Sequence, residues 1–302
     1  MIIVNFIEQL PEIEIYKDAP LDEIAFAQVG GAADFLAFPR TEKQMSDLLK
    51  TAFQNQVPIH VLGQLSDVVI SDLGVEGLVI ITEKINQMRV EGPLLFAGSG
   101  KDMISVSEFA MQNELSGLEW AAGLPGSVGG AVYMNAGAYS GMTSDNLKYV
   151  RVLDIKGEEK TLTLDDLHFE YRTSAIQRDT LFVTEAVFEL SPKSKEEIRL
   201  KMDDNNQRRI LKQPLHLPSN GSVFKRPEGY YAGKLISDSG LQGVQIGGAQ
   251  LSTKHANFIV NVDGAKAQDY LDLIDLVKHR VLESQGVKME LEVKLIGRGL
   301  ND

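Results

Sequence analysis

GLPGSVGGAVYMNAGAYSG, residues 123–141, carries six glycines and three alanines in nineteen positions, with Asn135 its one amide. Glycine has no Cβ and reaches dihedrals closed to other residues, so the run predicts a tightly turned chain in which no regular helix persists. The same property lets backbone N–H groups come close to a phosphate, which makes the run a candidate ligand loop. Two smaller runs share it: Gly30-Gly31, and GQLSD at residues 63–67. None of the three matches GxGxxG between a strand and a helix, or GxxxxGKS, which argues against a Rossmann or P-loop protein. Taken singly, each fits close backbone packing as well as a ligand loop.

Working outward, residues 35–38 read as a strand closed by Pro39. Met45, Leu48, Leu49, Ala52 and Phe53 then follow at the spacing of an amphipathic helix, and residues 59–62 return as a strand. Short apolar runs at 68–70, 77–82 and 94–97 lead to a helix over 103–112. Beyond the glycine run, strands are predicted at 149–155 and 181–190, and a charged helix at 194–211 stands as the natural domain boundary. The last third predicts a strand at 257–262 and a helix with Tyr270, Ile274, Val277 and Val281 on one face, ended by Gly286. A final strand alternates Met289, Leu291, Val293 and Leu295 inward with Glu290, Glu292 and Lys294 outward. The fold class is α+β.

At 302 residues, with 43% apolar and 24% charged, the chain is long enough for two or three cores. Without cysteine, redox chemistry requires a bound cofactor. His60, His168, His216, His255 and His279 are scattered without ligand spacing, which argues against a metal site. A net charge of -12 argues against nucleic acid as partner. Eight Lys/Arg against three acids between 199 and 234 still allow an anionic ligand there, or equally a solvated helix face. The opening MIIVNFIEQLPEIEI lacks a basic leader and is interrupted by Glu8, Glu12 and Glu14, and nowhere do 18 apolar residues run together. No membrane insertion and a cytoplasmic location are expected.

Five ordered segments carry a more specific signal: GLPGSVGGAVYMNAGAY, FEYRTS (169–174), SNGSVFKRP (219–227), AGKLISDSGLQGVQIGGAQLSTKHANFIVN (232–261) and LEVKLIG (291–297). In this order they resemble the UDP-N-acetylenolpyruvoylglucosamine reductase family, in its shorter subtype, over roughly residues 20–298. The resemblance implies a two-lobed FAD-binding domain of the vanillyl-alcohol-oxidase (PCMH) type over 1–192, then a smaller α+β substrate-binding domain over 193–302. It implies non-covalent FAD, with NADPH as co-substrate and a UDP-sugar as substrate. FAD would be lined by Gly30, Gly31, Gly63, Ser66, Asp67, Pro125, Gly126, Ser127, Gly129, Gly130, Asn135, Ala136 and Gly137.

The implied reaction delivers hydride to an enolpyruvyl ether, leaving negative charge delocalised into the carboxylate. Arg172 matches the family's arginine, whose planar guanidinium suits that carboxylate. Ser222 matches its proton donor, and Glu292 its third catalytic residue. Tyr171, Lys212, Lys225, Arg226 and Lys234 are candidates for holding the UDP-sugar. Each has a plain competitor: Arg172 as a strand-edge arginine, Ser222 as a turn residue, Glu292 as a solvated residue, the lysines as surface, Tyr171 as packing.

Two positions depart from the family's GxGSN loop. Leu65 stands where glycine is expected and Asp67 where asparagine is expected, so a Cβ would block the backbone's approach to a pyrophosphate and a carboxylate would face an anion. IAFAQVGG (24–31) also lacks the usual hydroxyl residues. These departures support two alternatives: a diverged non-catalytic flavin- or nucleotide-binding protein, and a related FAD-dependent oxidoreductase acting on another substrate.

Overall fold

The computed structural model describes residues 7–300. They fold into two compact units: one takes residues up to 17, 35–64 and 77–209, the other 18–34, 65–76 and from 210 onward. These units differ from a single cut at 192/193. The helix expected at the boundary belongs to the first unit up to Arg209, and two early segments belong to the second.

The two largest hydrophobic cores among the described residues of the first unit correspond to the two lobes expected of a PCMH-type domain. One forms under a four-stranded sheet ordered β1-β2-β5-β3, with β1 at Ile15–Pro20, β2 at Ala32–Ala37, β3 at Ile59–Leu62, β4 at Val68–Ile70 lying outside it, and β5 at Val75–Ile81. Helix α1, Glu42–Gln54, starts where Thr41 Oγ1 accepts the Gln44 N–H at 3.2 Å. Its Met45, Leu48, Leu49 and Ala52 are buried against Phe35, Leu78 and Ile80. Each large apolar side chain so buried contributes about 1.5–3 kcal/mol. Phe53, expected on the same face, is instead exposed, one step past the edge of the stripe.

The other core lies beneath an antiparallel sheet ordered β9-β8-β10-β7-β6, with β6 at Met88–Glu91, β7 at Leu94–Gly98, β8 at Leu147–Leu153, β9 at Glu159–Thr163 and β10 at Phe182–Glu189. Helix α2, Met103–Gln112, buries Met103, Val106 and Ala110 there. Contrary to the expectation of no helix, the glycine run contains α3, Val128–Tyr133. Ser127 caps it, its Oγ accepting the Gly130 N–H at 3.2 Å, and Val128, Ala131 and Val132 enter the core. Two glycines cost a helix about 1 kcal/mol each, which this burial offsets.

Helix α4, Lys195–Lys212, is fastened to the first unit. Ile198 and Met202 pack with Met111 and Ala122, while Asn205 Nδ2 donates to the Glu119 carbonyl at 3.0 Å.

The second unit is a four-stranded antiparallel sheet ordered β11-β14-β13-β12, with β11 at Ser219–Ser222, β12 at Gln245–Ile246, β13 at Ala249–Leu251 and β14 at Phe258–Asn261. Helix α5 covers Ala232–Asp238, and α6, Ala267–Gln285, lays Tyr270, Ile274, Val277 and Val281 on the core and ends at Gly286 with φ +68°. β15, Lys294–Ile296, pairs in parallel with β4. Met289 and Val293 are buried as the alternation predicts, but regular strand is confined to these last three residues, and Glu292 is half-buried rather than outward. The opening MIIVNF lies outside the described residues. No described helix is long and apolar enough to cross a membrane.

Candidate active site

Arg172 occupies a tight turn closed by Glu170 and Thr173, whose N–H and C=O groups exchange hydrogen bonds at 3.0 and 3.3 Å. Its φ is +57°, a left-handed conformation that costs a non-glycine residue roughly 1–2 kcal/mol. The glycine run accounts for its retention. Arg172 Nη2 donates to the Gly137 carbonyl at 3.2 Å and Nη1 reaches the Asn135 carbonyl at 3.5 Å. Asn135 in return donates from Nδ2 to the Glu170 carbonyl at 3.2 Å and accepts the Ser144 N–H on Oδ1 at 3.1 Å. Gln177 Nε2 donates to the carbonyls of both Arg172 and Tyr133, at 3.1 and 2.7 Å. The guanidinium also lies 4.9 Å from the ring centroid of the exposed Tyr171. The expected arginine and the end of the expected flavin loop are therefore one assembly, the strain of the first held by carbonyls of the second.

Two of the glycine runs meet in the first unit. A Cβ at Gly63 would lie 1.9 Å from Ser127 Oγ, and Gln64 Oε1 accepts the Gly126 N–H at 3.1 Å. The N–H groups of Val128 and Gly129 donate to the carbonyls of Lys101 and Ser99, both at 2.8 Å. With Gly130 capped by Ser127, the donors a phosphate cradle would use at 126, 128, 129 and 130 are turned to protein. Two hydroxyls lie beside these turns. Ser127 Oγ accepts from Gly130 and keeps its own proton, and buried Ser99 Oγ has no partner among the described residues beside Gly129. A hydroxyl is a donor type that a diphosphate accepts from, and both of these lie enclosed beside glycine-lined turns. Ala136 is held on both sides, its N–H on Ala131 and its carbonyl accepting from Thr143, each at 2.9 Å.

Gly30 and Gly31 lie in the second unit and are explained by packing. A Cβ at Gly30 would come within 2.7 Å of Ile70 Cβ and one at Gly31 within 2.5 Å of the Asp72 carbonyl oxygen, while the Gly31 N–H donates to Ser71 at 2.8 Å. Leu65 has φ +55°, the backbone that glycine would supply, but its side chain is 4% exposed. It is packed into protein, so the block to a ligand expected from its Cβ is replaced by a conformational cost. Ser66 and Asp67 are half-buried, the Asp67 carbonyl accepting the Lys294 N–H at 3.0 Å.

Ser222 and Glu292 are held on adjoining backbone of the second unit. Ser222 pairs with Phe258, Phe224 bridges to Leu291, and the Glu292 N–H donates to the Val223 carbonyl at 2.9 Å. Gly221, with φ +73°, turns the chain just before the serine. Lys225 is half-buried, its N–H on the Glu290 carbonyl at 2.9 Å. Arg226 is exposed, with its guanidinium 4.1 Å from the Tyr231 ring centroid and Nε donating to the Tyr230 carbonyl at 3.1 Å. Lys212 is exposed and adds its charge to the burial that lowers the His255 pKa. Lys234 is exposed and ion-paired to Asp238 at 2.7 Å, one helical turn on.

Sequence reasoning passed over Gln64, Ser99 and Gln177, because a positioning amide or an orphaned hydroxyl has no signature until the fold brings its partners near.

An FAD-binding domain family model matches residues 33–163, which take in helices α1 to α3 and the hydroxyl-bearing loops. This is an FAD-binding oxidoreductase. A second family model, the C-terminal domain of UDP-N-acetylenolpyruvoylglucosamine reductase, matches residues 213–296. The enzyme of that name from Limosilactobacillus reuteri is 48% identical over 97% of this chain and 99% of its own length, and that from Staphylococcus aureus is 45% identical over 95% and 94%. The crystal structure of UDP-N-acetylenolpyruvylglucosamine reductase from Thermus caldophilus matches with a TM-score of 0.80 at 33% identity, covering 94% of this chain and 98% of that one. The chain belongs to the UDP-N-acetylenolpyruvoylglucosamine reductase family.

Proposed function

We propose that the protein reduces UDP-N-acetylglucosamine enolpyruvate to UDP-N-acetylmuramate, with FAD as cofactor and NADPH as hydride source, in peptidoglycan precursor synthesis. The observation that carries this reading is the clamp on Arg172, in a chain related to the named reductases over 97% of its length. FAD, held by the glycine run at 123–137, would supply two-electron hydride chemistry between NADPH and the enolpyruvyl carbon remote from the carboxylate. We assign FAD to the first domain, residues 1–192, and the UDP-sugar to residues 193–302. NADPH and nucleotide sugars are cytoplasmic metabolites, so we place the enzyme in the cytoplasm.

Arg172 binds the substrate carboxylate, where charge develops as the double bond is reduced. Its plane is fixed in advance by the Asn135 and Gly137 carbonyls, so little reorganisation accompanies the reaction, and a preorganised donor of this kind contributes about 3–4 kcal/mol. Ser222 Oγ gives its proton to the neighbouring carbon, with Lys225 or Arg226 bearing charge from the transient alkoxide, and Glu292 stabilises the enolate oxygen as a protonated acid or through a relaying water. Lys212, Lys225, Arg226 and Lys234 are cations for the UDP-sugar, with Tyr171 beside Arg172.

Ser222→Ala separates the half-reactions. NADPH is expected to bleach the variant's flavin anaerobically at nearly the wild-type rate, while recovery of the absorbance on adding enolpyruvyl UDP-GlcNAc is lost. Equal loss of both steps would remove Ser222 from the proton-donor role. Failure of the wild-type protein to bind flavin in excess FAD would sink the reductase reading as a whole.

A further inference from the structure

Met142 stands out by its exposure and by what its sulfur touches. Of the nine methionines, Met1 lies outside the described residues; among the other eight, Met142 is 41% exposed, Met88 is half-buried and six are buried. The chain has no cysteine, so no thiol competes for an oxidant. Met142 Sδ accepts from Asn135 Nδ2 at 3.8 Å, and the same nitrogen donates to the Glu170 carbonyl at 3.2 Å. The chain that follows Met142 wraps that asparagine: the Met142 N–H donates to Asp145 Oδ2 at 2.9 Å and the Ser144 N–H to Asn135 Oδ1 at 3.1 Å. A second thioether, Met134 Sδ, accepts from Gln177 Nε2 at 3.7 Å, but Met134 is only 8% exposed.

Asn135 is the tie between this sulfur and the arginine. Through Nδ2 it holds the Glu170 carbonyl, beside the turn in which Arg172 has its left-handed backbone, and its own carbonyl faces the guanidinium. The asparagine is 4% exposed, so a change at one acceptor moves the whole amide. We propose that Met142 is an oxidation site through which hydrogen peroxide loosens the grip on Arg172. In this step the O–O bond of peroxide breaks and one oxygen bonds to Sδ. Sulfur is oxidised by two electrons, and the other oxygen leaves as water. The sulfoxide carries negative charge on oxygen and positive charge on sulfur, so the sulfur ceases to accept and the new oxygen is the stronger acceptor. Asn135 Nδ2 turns toward that oxygen and off the Glu170 carbonyl, and the strained turn loses one of the bonds that hold it. Enzymatic reduction of the sulfoxide reverses the change. The effect on catalysis rests on the reading of Arg172 as the group that binds the substrate carboxylate.

The test treats FAD-loaded wild type and Met142→Leu with hydrogen peroxide and locates added oxygen on each methionine by peptide mass spectrometry. Both anaerobic half-reactions are timed before treatment, after it, and after incubation with methionine sulfoxide reductase. Met142 is expected to take up oxygen ahead of every buried methionine. Flavin bleaching by NADPH is expected to keep its rate, while recovery on adding enolpyruvyl UDP-GlcNAc slows about fivefold, the equivalent of one neutral hydrogen bond. Sulfoxide reductase is expected to restore that recovery. Met142→Leu, close in volume, is expected to match untreated wild type both before and after peroxide. Oxygen on the buried methionines with Met142 unmodified overturns the proposal. So does a Met142 sulfoxide that slows neither half-reaction, equal slowing of both, or equal peroxide sensitivity in Met142→Leu. An untreated wild type that binds no flavin overturns the reductase reading and this proposal with it, so the untreated control tells the two failures apart.

Discussion

At single residues, the conformation a position demands and the residue it holds are separate quantities, and Leu65 sets them against each other. Its φ of +55° favours glycine by about 1 kcal/mol, whereas the side chain, 4% exposed, is worth about 2–3 kcal/mol in burial. Burial wins. Leu65→Gly is therefore expected to lower stability by about 1–2 kcal/mol, read as a lower denaturant midpoint at unchanged slope; a higher midpoint would mean the strain is the larger effect. The sequence marked this position through a pattern mismatch and pointed to a steric block, because the direction of a side chain cannot be read from its neighbours in the chain. Arg172 shows the same limit. Its identity stood out in FEYRTS, but the left-handed turn and the two carbonyls that stabilise it belong to residues 35 and 37 positions upstream.

Elements were legible where an apolar stripe had one partner surface. Met45, Leu48, Leu49 and Ala52 specified α1, and Tyr270, Ile274, Val277 and Val281 specified α6, since a period of 3.6 has no other economical burial. The glycine-rich α3 was missed because its formation depends on Ser127 as cap and on a core supplied by distant strands. Helix α4 was found but assigned to a boundary, since its docking depends on Glu119. That buried carboxylate is penalised by desolvation, but hydrogen bonds from Ser116 and Gly117 and the charge of Lys201, 3.5 Å away, bring its pKa below the ordinary glutamate value. A carboxyl group depressed in the folded state stabilises fully above its unfolded pKa, and that contribution fades as pH falls through the folded value. Glu119→Gln is expected to lower stability near neutrality by about 1–2 kcal/mol and to flatten the acid limb of the unfolding temperature against pH. An acid limb parallel to the wild type's would show that other carboxylates govern it.

For the whole molecule, the order of segments along the chain is a poor guide to which residues share a core. The second unit gathers residues 18–34 and 65–76 with the C-terminal third. Ala27, Val29 and Val69 are buried in the same cluster as Val223, Leu251, Ile274 and Val281. Asn261 Nδ2 donates to the Ala27 carbonyl at 3.1 Å, Asn220 Nδ2 donates to that of Val68, and β15 has β4 as its strand partner. Asp72 caps α6 from outside the C-terminal sequence, its two oxygens accepting the N–H groups of Ala267 and Gln268 at 2.9 and 3.1 Å. Removing one such cap costs about 0.5–2 kcal/mol, and the lost strand pair and three buried side chains add to it, against a total stability of about 5–15 kcal/mol for a domain. The sequence could not disclose this arrangement, because hydrophobic periodicity names the residues that are buried and not the core they enter. A polypeptide of residues 193–302 is therefore expected to lack cooperative unfolding and dispersed amide resonances, and to regain both when co-expressed with residues 1–192. Independent folding of the 193–302 fragment, with a sharp thermal transition of its own, would show that the early segments decorate this unit and do not complete it.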